Sequence, residues 1–444
     1  MPSSSPRVHD DARARHHRTP PSRNNPFRAY HPASRLRPRQ SWRVLHGVSE
    51  GVPGVTVDKF GGALLVQSWR EPLRRDDVFD LCDAAFGGQL TAGEDVHSVW
   101  VHPRASLNRG GSGASDAGTD ASSRDAAVPG VYRRASWMPA SEKGGSELDA
   151  FDAFGPDVFG RDLSDPELGH AFSELGLAYT FVPPRRFGDP SLYLDFRPTR
   201  RWIGERARGA SVLNAFAYTC GAGLAAAAAG ASRVLNTDHS ATYLAYGAEN
   251  YRLNGLGGAP GAPGPERDET ASGSSAFDAY CEDFYPAVRQ LAGLPPPGRQ
   301  GRGGGRGSRR ALGGGARGRR GGFSRGGAAP KKAKPPRPET FDLVILDPPT
   351  LTKTSYGAVD IENDYQSLAK PSALCVTPGG VLLATNHSHR VDLDDWLAIV
   401  EKCVKKAGCA VTRVEVVRPE PDDDDHPAMA DGKRPLKVAA FTLE

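Results

Sequence analysis

The chain has 444 residues, enough for two or three domains at roughly 150 residues each. Its hydrophobic fraction is 38%, below the roughly 45–50% of globular domains, and its 52 glycines and 37 prolines indicate that part of it does not fold. No apolar run reaches the roughly 18 residues of a membrane span, and the six cysteines form no CxxC pair, so we expect no membrane association, no disulfide framework and no metal site.

The positive charge is concentrated in two segments of low complexity. Residues 299–337 carry ten arginines and three lysines with no acid, a charge of +13, and residues 1–43 carry +8. Because the whole chain carries only +4, the remainder carries −17. A polyanionic partner would therefore be attracted mainly by these two basic segments.

Residues 1–40 are rich in Ser, Pro and Arg and show no apolar periodicity. Such a segment cannot bury enough apolar surface to offset its ordering entropy, so we predict a disordered basic tail. An organellar transit peptide has a similar composition, although Asp10 and Asp11 are unusual for one. We expect an intracellular, reducing location, with a chloroplast or mitochondrion and the cytoplasm as the alternatives.

Residues 41–180 are predicted to form a small α+β N-terminal domain. Two β-branched runs between Val52 and Gln67 are joined by Gly61-Gly62, a pattern typical of a β-hairpin. Residues 109–127 are Gly-, Ser-, Ala- and Asp-rich and are predicted to be a polar insertion. Folding resumes near Phe172.

Residues 181–444 show an alternation of strands and helices. We predict strands at 211–216, 233–238, 341–347 and 380–385, and helices at 221–231 and 241–253, the second ending at Asn254-Gly255. This rhythm predicts an α/β fold, with a parallel sheet and right-handed crossovers. The Arg/Gly-rich segment 295–338 interrupts it and is predicted to be a disordered insert, since loop-closure entropy grows only slowly with length.

Four polar features fall at the predicted carboxyl ends of these strands, where open parallel sheets bind ligands. The first is the turn from Asn214 to Gly223, where glycines allow close approach to the backbone and a helix begins. The others are Asp238, Asp283 and the Asp347-Pro348-Pro349 segment that follows a buried strand. Each has an ordinary structural interpretation, such as a tight turn or a solvated acid at a strand end.

The order of these features resembles the class I S-adenosylmethionine-dependent methyltransferases, and more closely the methyltransferases of large-subunit ribosomal RNA bases. The resemblance covers residues 172–444 closely, apart from the insert, and residues 44–67 loosely. The segments that carry it are 192–202, 212–219, 248–256, 346–350 and His426-Pro427. It implies a Rossmann-like methyltransferase sheet with helices on both faces, preceded by the small α+β unit.

The resemblance also implies roles for particular residues. S-adenosylmethionine would be the cofactor, its methionine part held by Asn214, Phe216, Thr219 and the stretch from Gly221 to Gly223. Asp238 would bind its ribose and Asp283 would face its adenine. Asp347, Pro348 and Pro349 would form the wall between the cofactor methyl group and the target base.

The target atom follows from the residue type at position 386. Methylation of cytosine carbon 5 needs a cysteine that adds first to carbon 6, and the cytosine branch of the family has a cysteine after the strand that follows the Pro-Pro motif. Here Asn386 occupies that position. We therefore predict a catalytic Asn386 and favour a guanine nitrogen over cytosine carbon 5. The guanine branch commonly carries an aromatic where Thr350-Leu351 stand here, and Tyr356 or Tyr365 could substitute.

Ribosomal RNA is the predicted partner. Arg/Gly tracts bind single strands through charge and guanidinium stacking, although compositional bias alone could also produce such an insert. Three other functions remain open: a nicotinamide-dependent Rossmann enzyme, a non-catalytic RNA-binding or ribosome-assembly factor that retains the fold, and methylation of a protein side-chain amide. A nicotinamide-dependent enzyme would carry a GxGxxG motif, which the segment from Asn214 to Gly223 lacks. None of the sequence features fixes the oligomeric state.

Overall fold

The computed structural model describes residues 41–103, 130–133, 171–182, 189–256, 277–295, 337–420, 426–428 and 432–444, with short gaps at 49, 70–72 and 92. The predicted tail 1–40, the polar insertion 109–127 and nearly all of the insert 295–338 lie outside these residues. Within the described part, no helix is long and apolar enough to span a bilayer.

The described residues of the N-terminal unit form a five-stranded sheet and one helix. The elements are β1 (Ser41–Leu45), β2 (Val55–Phe60), β3 (Ala63–Ser68), α1 (Arg75–Phe86), β4 (Ser98–Pro103) and β5 (Gly130–Arg133). The strands run in the order β1-β2-β3-β4-β5, and the β2–β3 pair is the antiparallel hairpin predicted from the sequence. Strand β4 pairs parallel to β3, with the helix as the crossover between them.

The two faces of this sheet belong to different cores. Alternate side chains of a strand point to opposite faces, and Leu64 and Val66 pack with α1 in a core of their own. Ala63 and Leu65 instead join the core that includes residues of the C-terminal sheet and its helices. The N-terminal unit therefore packs firmly against the rest of the described chain.

A short hairpin, β6 (Ala171–Glu174) and β7 (Leu177–Thr180), connects the two units. The Glu174 carboxylate, which is buried, accepts hydrogen bonds from Arg197 at 3.0 Å and from Arg200 at 2.5 and 2.9 Å. Arg197 also donates to the Ser41 carbonyl in β1. One buried acid thus ties the N-terminal sheet to the helix that carries both arginines, α2 (Arg197–Arg206).

In the described residues, the C-terminal unit forms a seven-stranded sheet with helices. The elements are β8 (Ser211–Ala215), α3 (Gly221–Ala228), β9 (Arg233–Asp238), α4 (Ala241–Leu253), β10 (Asp278–Cys281), α5 (Phe284–Leu291), β11 (Phe341–Leu346), β12 (Leu351–Thr354), β13 (Gly357–Asp360), α6 (Gln366–Ala373), β14 (Val376–Asn386), α7 (Leu393–Lys406), β15 (Val411–Val416) and β16 (Lys437–Leu443). The strand order is β10-β9-β8-β11-β14-β16-β15, and it reverses between β8 and β11. Strands β8, β9, β11 and β14 coincide with the four predicted strands and are parallel, as predicted. Strand β10, which was not predicted, is parallel to β9.

Two further features of this unit, which shape the sheet and its ligand-binding edge, were also not predicted from the sequence. Strand β16 runs antiparallel to both of its neighbours, β14 and β15. Strands β12 and β13 form a separate hairpin directly after Asp347-Pro348-Pro349. The hairpin places residues 351–356 beside the carboxyl ends of the parallel strands.

Candidate functional site

A cavity of about 920 Å³ opens at the carboxyl ends of the parallel strands, beside the point where the strand order reverses. Its volume lies near the upper end of the roughly 300–1,000 Å³ of small-molecule sites, so it has room for more than one ligand group. Of the eleven predicted site residues, nine line it: Asn214, Phe216, Thr219, Gly221, Asp238, Asp283, Asp347, Pro348 and Pro349. The other two, Gly223 and Asn386, do not.

The turn between β8 and α3 is strained. Phe216, Tyr218 and Cys220 all have positive φ, at 57°, 52° and 62°, which is unusual for residues with a Cβ. Such strain persists only where the surroundings fix it, and it is concentrated at binding sites. Here the Phe216 ring stacks on Phe284 with centroids 4.5 Å apart, and the Tyr218 hydroxyl donates to the Pro190 carbonyl at 2.7 Å. These contacts hold the turn in its binding-site conformation.

Asp238 ends β9 with its carboxylate pointing into this turn. One carboxylate oxygen accepts the Tyr218 N–H at 2.9 Å and the other accepts the Ser240 N–H at 2.8 Å. His239 contributes a further backbone hydrogen bond to this carboxylate. A carboxylate has about four acceptor positions, so Asp238 can still accept a ligand hydroxyl. Burial raises the pKa of Asp238, and the backbone hydrogen bonds from Ser240 and Tyr218 oppose that rise.

Other polar side chains of the turn form hydrogen bonds within the protein. The Asn214 amide donates to Asn236, and the Thr219 hydroxyl donates to the Ser191 carbonyl. At Gly223 an added Cβ would lie 2.2 Å from the Asn236 side-chain oxygen, so glycine is required there for helix–sheet packing. The structure places Gly223 against Asn236 and not among the residues that line the cavity.

Asp283 lies at the other end of the cavity. Its carboxylate accepts the Tyr285 N–H at 3.0 Å and so caps the N-terminus of α5. Like Asp238, it combines a structural hydrogen bond with a position on the cavity wall.

Asp347 contacts two side chains at the end of the adjacent strand β14: Thr385 in the strand and His387 directly after it. Its Oδ1 atom accepts the Thr385 hydroxyl at 2.6 Å and lies 2.8 Å from His387 Nε2. His387 lines the cavity, with 29% of its side chain exposed. Burial lowers the pKa of His387, whereas the charge of Asp347 and its hydrogen bond raise it. The effects that raise this pKa together outweigh burial, so the net shift is upward. Asp347 and His387 form an acid–imidazole pair at the cavity wall.

Asn386 lies next to this pair but does not face the cavity. Its side chain is fully buried, donating to the Ile361 carbonyl at 3.1 Å and accepting the Ser388 N–H at 2.9 Å. Neighbouring residues of a strand point to opposite faces, so a cavity-facing His387 places Asn386 behind the sheet. The geometry does not support a catalytic Asn386, and His387 is the side chain that the sequence interpretation missed.

The two tyrosines considered for stacking on the target base differ in their position relative to the cavity. Tyr356, in the turn of the β12–β13 hairpin, lines the cavity. Tyr365 is buried, and its hydroxyl donates to the Thr385 carbonyl at 2.7 Å. Tyr365 is therefore a packing residue.

Comparisons with known proteins agree with this geometry. The sequence profile of the S-adenosylmethionine-dependent methyltransferases matches residues 144–259. A Streptococcus mutans protein described as an S-adenosylmethionine-dependent methyltransferase has a similar structure, with a TM-score of 0.52 and 15% identity over 92% of this chain and 76% of that one. A further solved methyltransferase, complexed with SAH, has a TM-score of 0.53 and 14% identity, over the same shares of the two chains.

This chain has the class I methyltransferase fold. The fold predicted from the sequence is thereby confirmed. The family model that matches residues 144–259 is described as S-adenosylmethionine-dependent, in agreement with the predicted cofactor.

Curated relatives give a narrower comparison. The ribosomal RNA large subunit methyltransferase K/L of Shewanella sp. strain W3-18-1 is 49% identical over 208 residues, 46% of this chain and 21% of that protein. The protein of the same name from Psychrobacter cryohalolentis is 26% identical over 222 residues, 50% of this chain and 21% of that protein. The chain thus spans about a fifth of the length of these relatives.

Proposed function

We propose that this protein is an S-adenosylmethionine-dependent methyltransferase that modifies a base of RNA, with large-subunit ribosomal RNA as the substrate. The observation that carries the proposal is the cavity in which Asp238 and the Asp347-Pro348-Pro349 segment face the same space on a methyltransferase sheet. The names of the curated relatives support the choice of ribosomal RNA.

The residues along β8, β9 and α5 fit the cofactor. Asp238 retains acceptor capacity for a ribose hydroxyl, Gly221 begins helix α3 at the cavity wall, and Asp283, which lines the same cavity, would contact the adenine. S-adenosylmethionine, when bound, supplies an electrophilic methyl group. The protein's own contribution is then to position the target base, exclude water and handle the proton that the base loses.

His387 and Asp347 fit the task of handling the proton that the target base loses. The Nε2–H group of His387 donates to Asp347, which leaves Nδ1 as the lone-pair acceptor of the ring. A nitrogen that carries a hydrogen, such as guanine N1 or N2, must lose that proton on methylation. We assign His387 Nδ1 as its acceptor, with Asp347 orienting the ring.

Asp238→Asn is expected to weaken S-adenosylmethionine binding. The amide keeps the size of the carboxylate but loses its charge and one acceptor, leaving ribose hydroxyls unpaired in a partly buried site. A loss of about 1–3 kcal/mol corresponds to roughly 5- to 150-fold in affinity. Isothermal titration calorimetry of the full chain measures it, with Asp278→Asn on the neighbouring strand as the control. Equal affinities of the two variants would remove the ribose assignment.

Nitrogen methylation predicts that no covalent adduct forms between enzyme and RNA. All six cysteines lie in the described part of the chain, and of these only Cys281 lines the cavity. It ends β10, three strand spacings from β11, or about 14 Å from the Asp347 end, and burial raises the pKa of its thiol.

Ribosomal RNA containing 5-fluorocytosine tests this prediction directly, because that base traps cysteine adducts. We expect methyl transfer without a denaturant-resistant complex. A trapped complex that disappears on Cys281→Ser would instead establish cytosine carbon 5 as the target. Transfer of labelled methyl groups to RNA, followed by nucleoside mass spectrometry, identifies the modified base and tests the proposed function as a whole.

A further inference from the structure

The exposed apolar side chains of the described residues are concentrated at the cavity. Three of the six large hydrophobic residues that are exposed line it: Trp69, 46% exposed, Tyr193, 41% exposed, and Leu351, 66% exposed. They come from three separate parts of the chain: the end of β3, the segment before α2 and the β12–β13 hairpin. Exposed apolar groups brought together from distant segments mark a binding surface.

A second cavity of about 320 Å³ adjoins the first, between the N-terminal sheet and the C-terminal unit. Four residues line both cavities: Trp69, Asp189, Leu192 and Tyr193. The two exposed rings therefore stand at the junction of the two spaces. The volume is at the lower end of small-molecule sites and suits one nucleoside rather than a longer segment.

Both side chains are held in place although 46% of Trp69 and 41% of Tyr193 remain accessible. The Trp69 Nε1–H donates to the Thr56 hydroxyl at 3.3 Å, and its backbone N–H donates to the Gly54 carbonyl at 2.7 Å. The Tyr193 carbonyl accepts a hydrogen bond from Arg200 at 2.9 Å, and its ring contacts Tyr218 with centroids 5.6 Å apart. Rings fixed in this way lose little entropy when a ligand stacks on them.

The second cavity is suited to a neutral base rather than to a phosphate. Arg43 is engaged by Asp58 through two hydrogen bonds, of 2.7 and 2.9 Å. Asp189, Asp195 and Arg434 also line the cavity, and Arg434 donates to the His426 carbonyl at 2.7 Å, so the lining carries three carboxylates against two guanidinium groups. Burial and the charge of Arg43 lower the pKa of His46 there, which favours a neutral imidazole. Carboxylates repel phosphate, whereas neutral polar groups can pair with the edge of a base.

We propose that Trp69 and Tyr193 stack on the RNA base next to the methylated one and hold it at the second cavity. This inference rests on the proposed function and extends it, since it requires the target to be an unpaired segment whose bases can be splayed apart. It also makes the N-terminal sheet, through Trp69, part of the RNA-binding site. Recognition of single-stranded RNA typically uses such stacking on aromatic side chains.

Two 12-nucleotide probes separate base stacking from phosphate binding: oligoadenylate, and an abasic strand with the same ribose-phosphate backbone. Fluorescence anisotropy with the full chain, saturated with S-adenosylhomocysteine, measures both affinities. We expect tighter binding of oligoadenylate, because one stacked base contributes roughly 5- to 150-fold in affinity. Trp69→Ala and Tyr193→Ala should each reduce this preference at least fivefold and leave the abasic affinity unchanged.

Trp69→Phe and Tyr193→Phe keep a stacking ring and should retain the preference, which also guards against misfolding of the alanine variants. Val48→Ala and Ile399→Ala, at exposed apolar residues outside both cavities, are the matched controls. A preference that persists in both alanine variants, or is absent from the unmodified protein, overturns the inference. So does competition by an unstructured peptide but not by oligoadenylate.

The same experiment keeps the two proposals apart. Methyl transfer to ribosomal RNA without a dependence on Trp69 or Tyr193 would overturn only the stacking assignment. A ring-dependent base preference in a protein that transfers no methyl group to RNA would overturn only the proposed function.

Discussion

Glu174→Ala is expected to be among the most destabilising single substitutions in this protein. The Glu174 carboxylate is the buried partner of both Arg197 and Arg200, and the side chains of all three are about 2% exposed. Removing it takes the shared carboxylate away from two buried guanidinium groups. Breaking a buried ion pair in this way costs about 3–5 kcal/mol. Urea denaturation, followed by circular dichroism, measures the loss in unfolding free energy.

Glu205→Ala is the matched control for this substitution. Glu205 pairs with Arg206 on the same helix, but with 61% and 42% of the two side chains exposed, so its loss should cost about 0–1 kcal/mol. Equal losses for the two variants would show that the buried cluster contributes no more than a surface pair. Because Arg200 also lines the main cavity, Glu174→Ala should weaken S-adenosylmethionine binding as well.

Most of the parallel sheet could be predicted because strands β8, β9, β11 and β14 each have a local sequence signal, whereas the short strand β10 was not predicted. Apolar runs such as the one ending at Leu346 are short, bounded by polar or turn residues, and separated by helical segments. Strand β16 carries an equally apolar run, from Val438 to Phe441, yet its reversed direction depends on pairing with β14 and β15. Direction is a property of the assembled sheet, so no local pattern reveals it.

The site residues, like the strands, include some that the local sequence predicts and some that it does not. Asp238 and Asp347 follow buried strands, and the end of a parallel strand fixes where the next side chain lies. Asn386 was misplaced because a shift of one residue along a strand exchanges its two faces. The alternation around Thr385, whose hydroxyl reaches Asp347, is the signal that could have selected His387.

The position of Trp69 at the cavity could not be predicted from the sequence. This residue follows a hairpin strand of a different unit, more than a hundred residues before any predicted site residue. Its place at the cavity depends on the packing of the N-terminal sheet against the C-terminal unit, which the buried Glu174 cluster and a shared apolar core maintain. Contacts between units of this kind have no signature in either segment alone.

The pair formed by His387 and Asp347 gives the prediction with the largest effect on rate. His387→Ala should lower kcat by about 100-fold, the lower end of what a positioned acid or base contributes, while S-adenosylmethionine affinity stays unchanged. His389→Ala, two residues further along and exposed, is the control and should keep full activity. A similar kcat for both variants would exclude proton transfer by His387 and favour a nitrogen that carries no proton, such as guanine N7.

The pH dependence of kcat tests the same assignment independently. Asp347, Asp195 and Lys437 are the charged groups that act on His387, and after burial, which lowers its pKa, the charge of Asp347 contributes most to the net rise. Only the neutral imidazole can accept a proton, so kcat should increase as the pH rises through this elevated pKa and level off above it. Asp347→Asn removes the charge that raises the pKa. The rising limb should therefore move to lower pH in that variant, even as its maximum rate falls because the ring is less well oriented. A limb that stays in place would mean that another group titrates, and a flat profile would mean that no proton is transferred in the rate-limiting step.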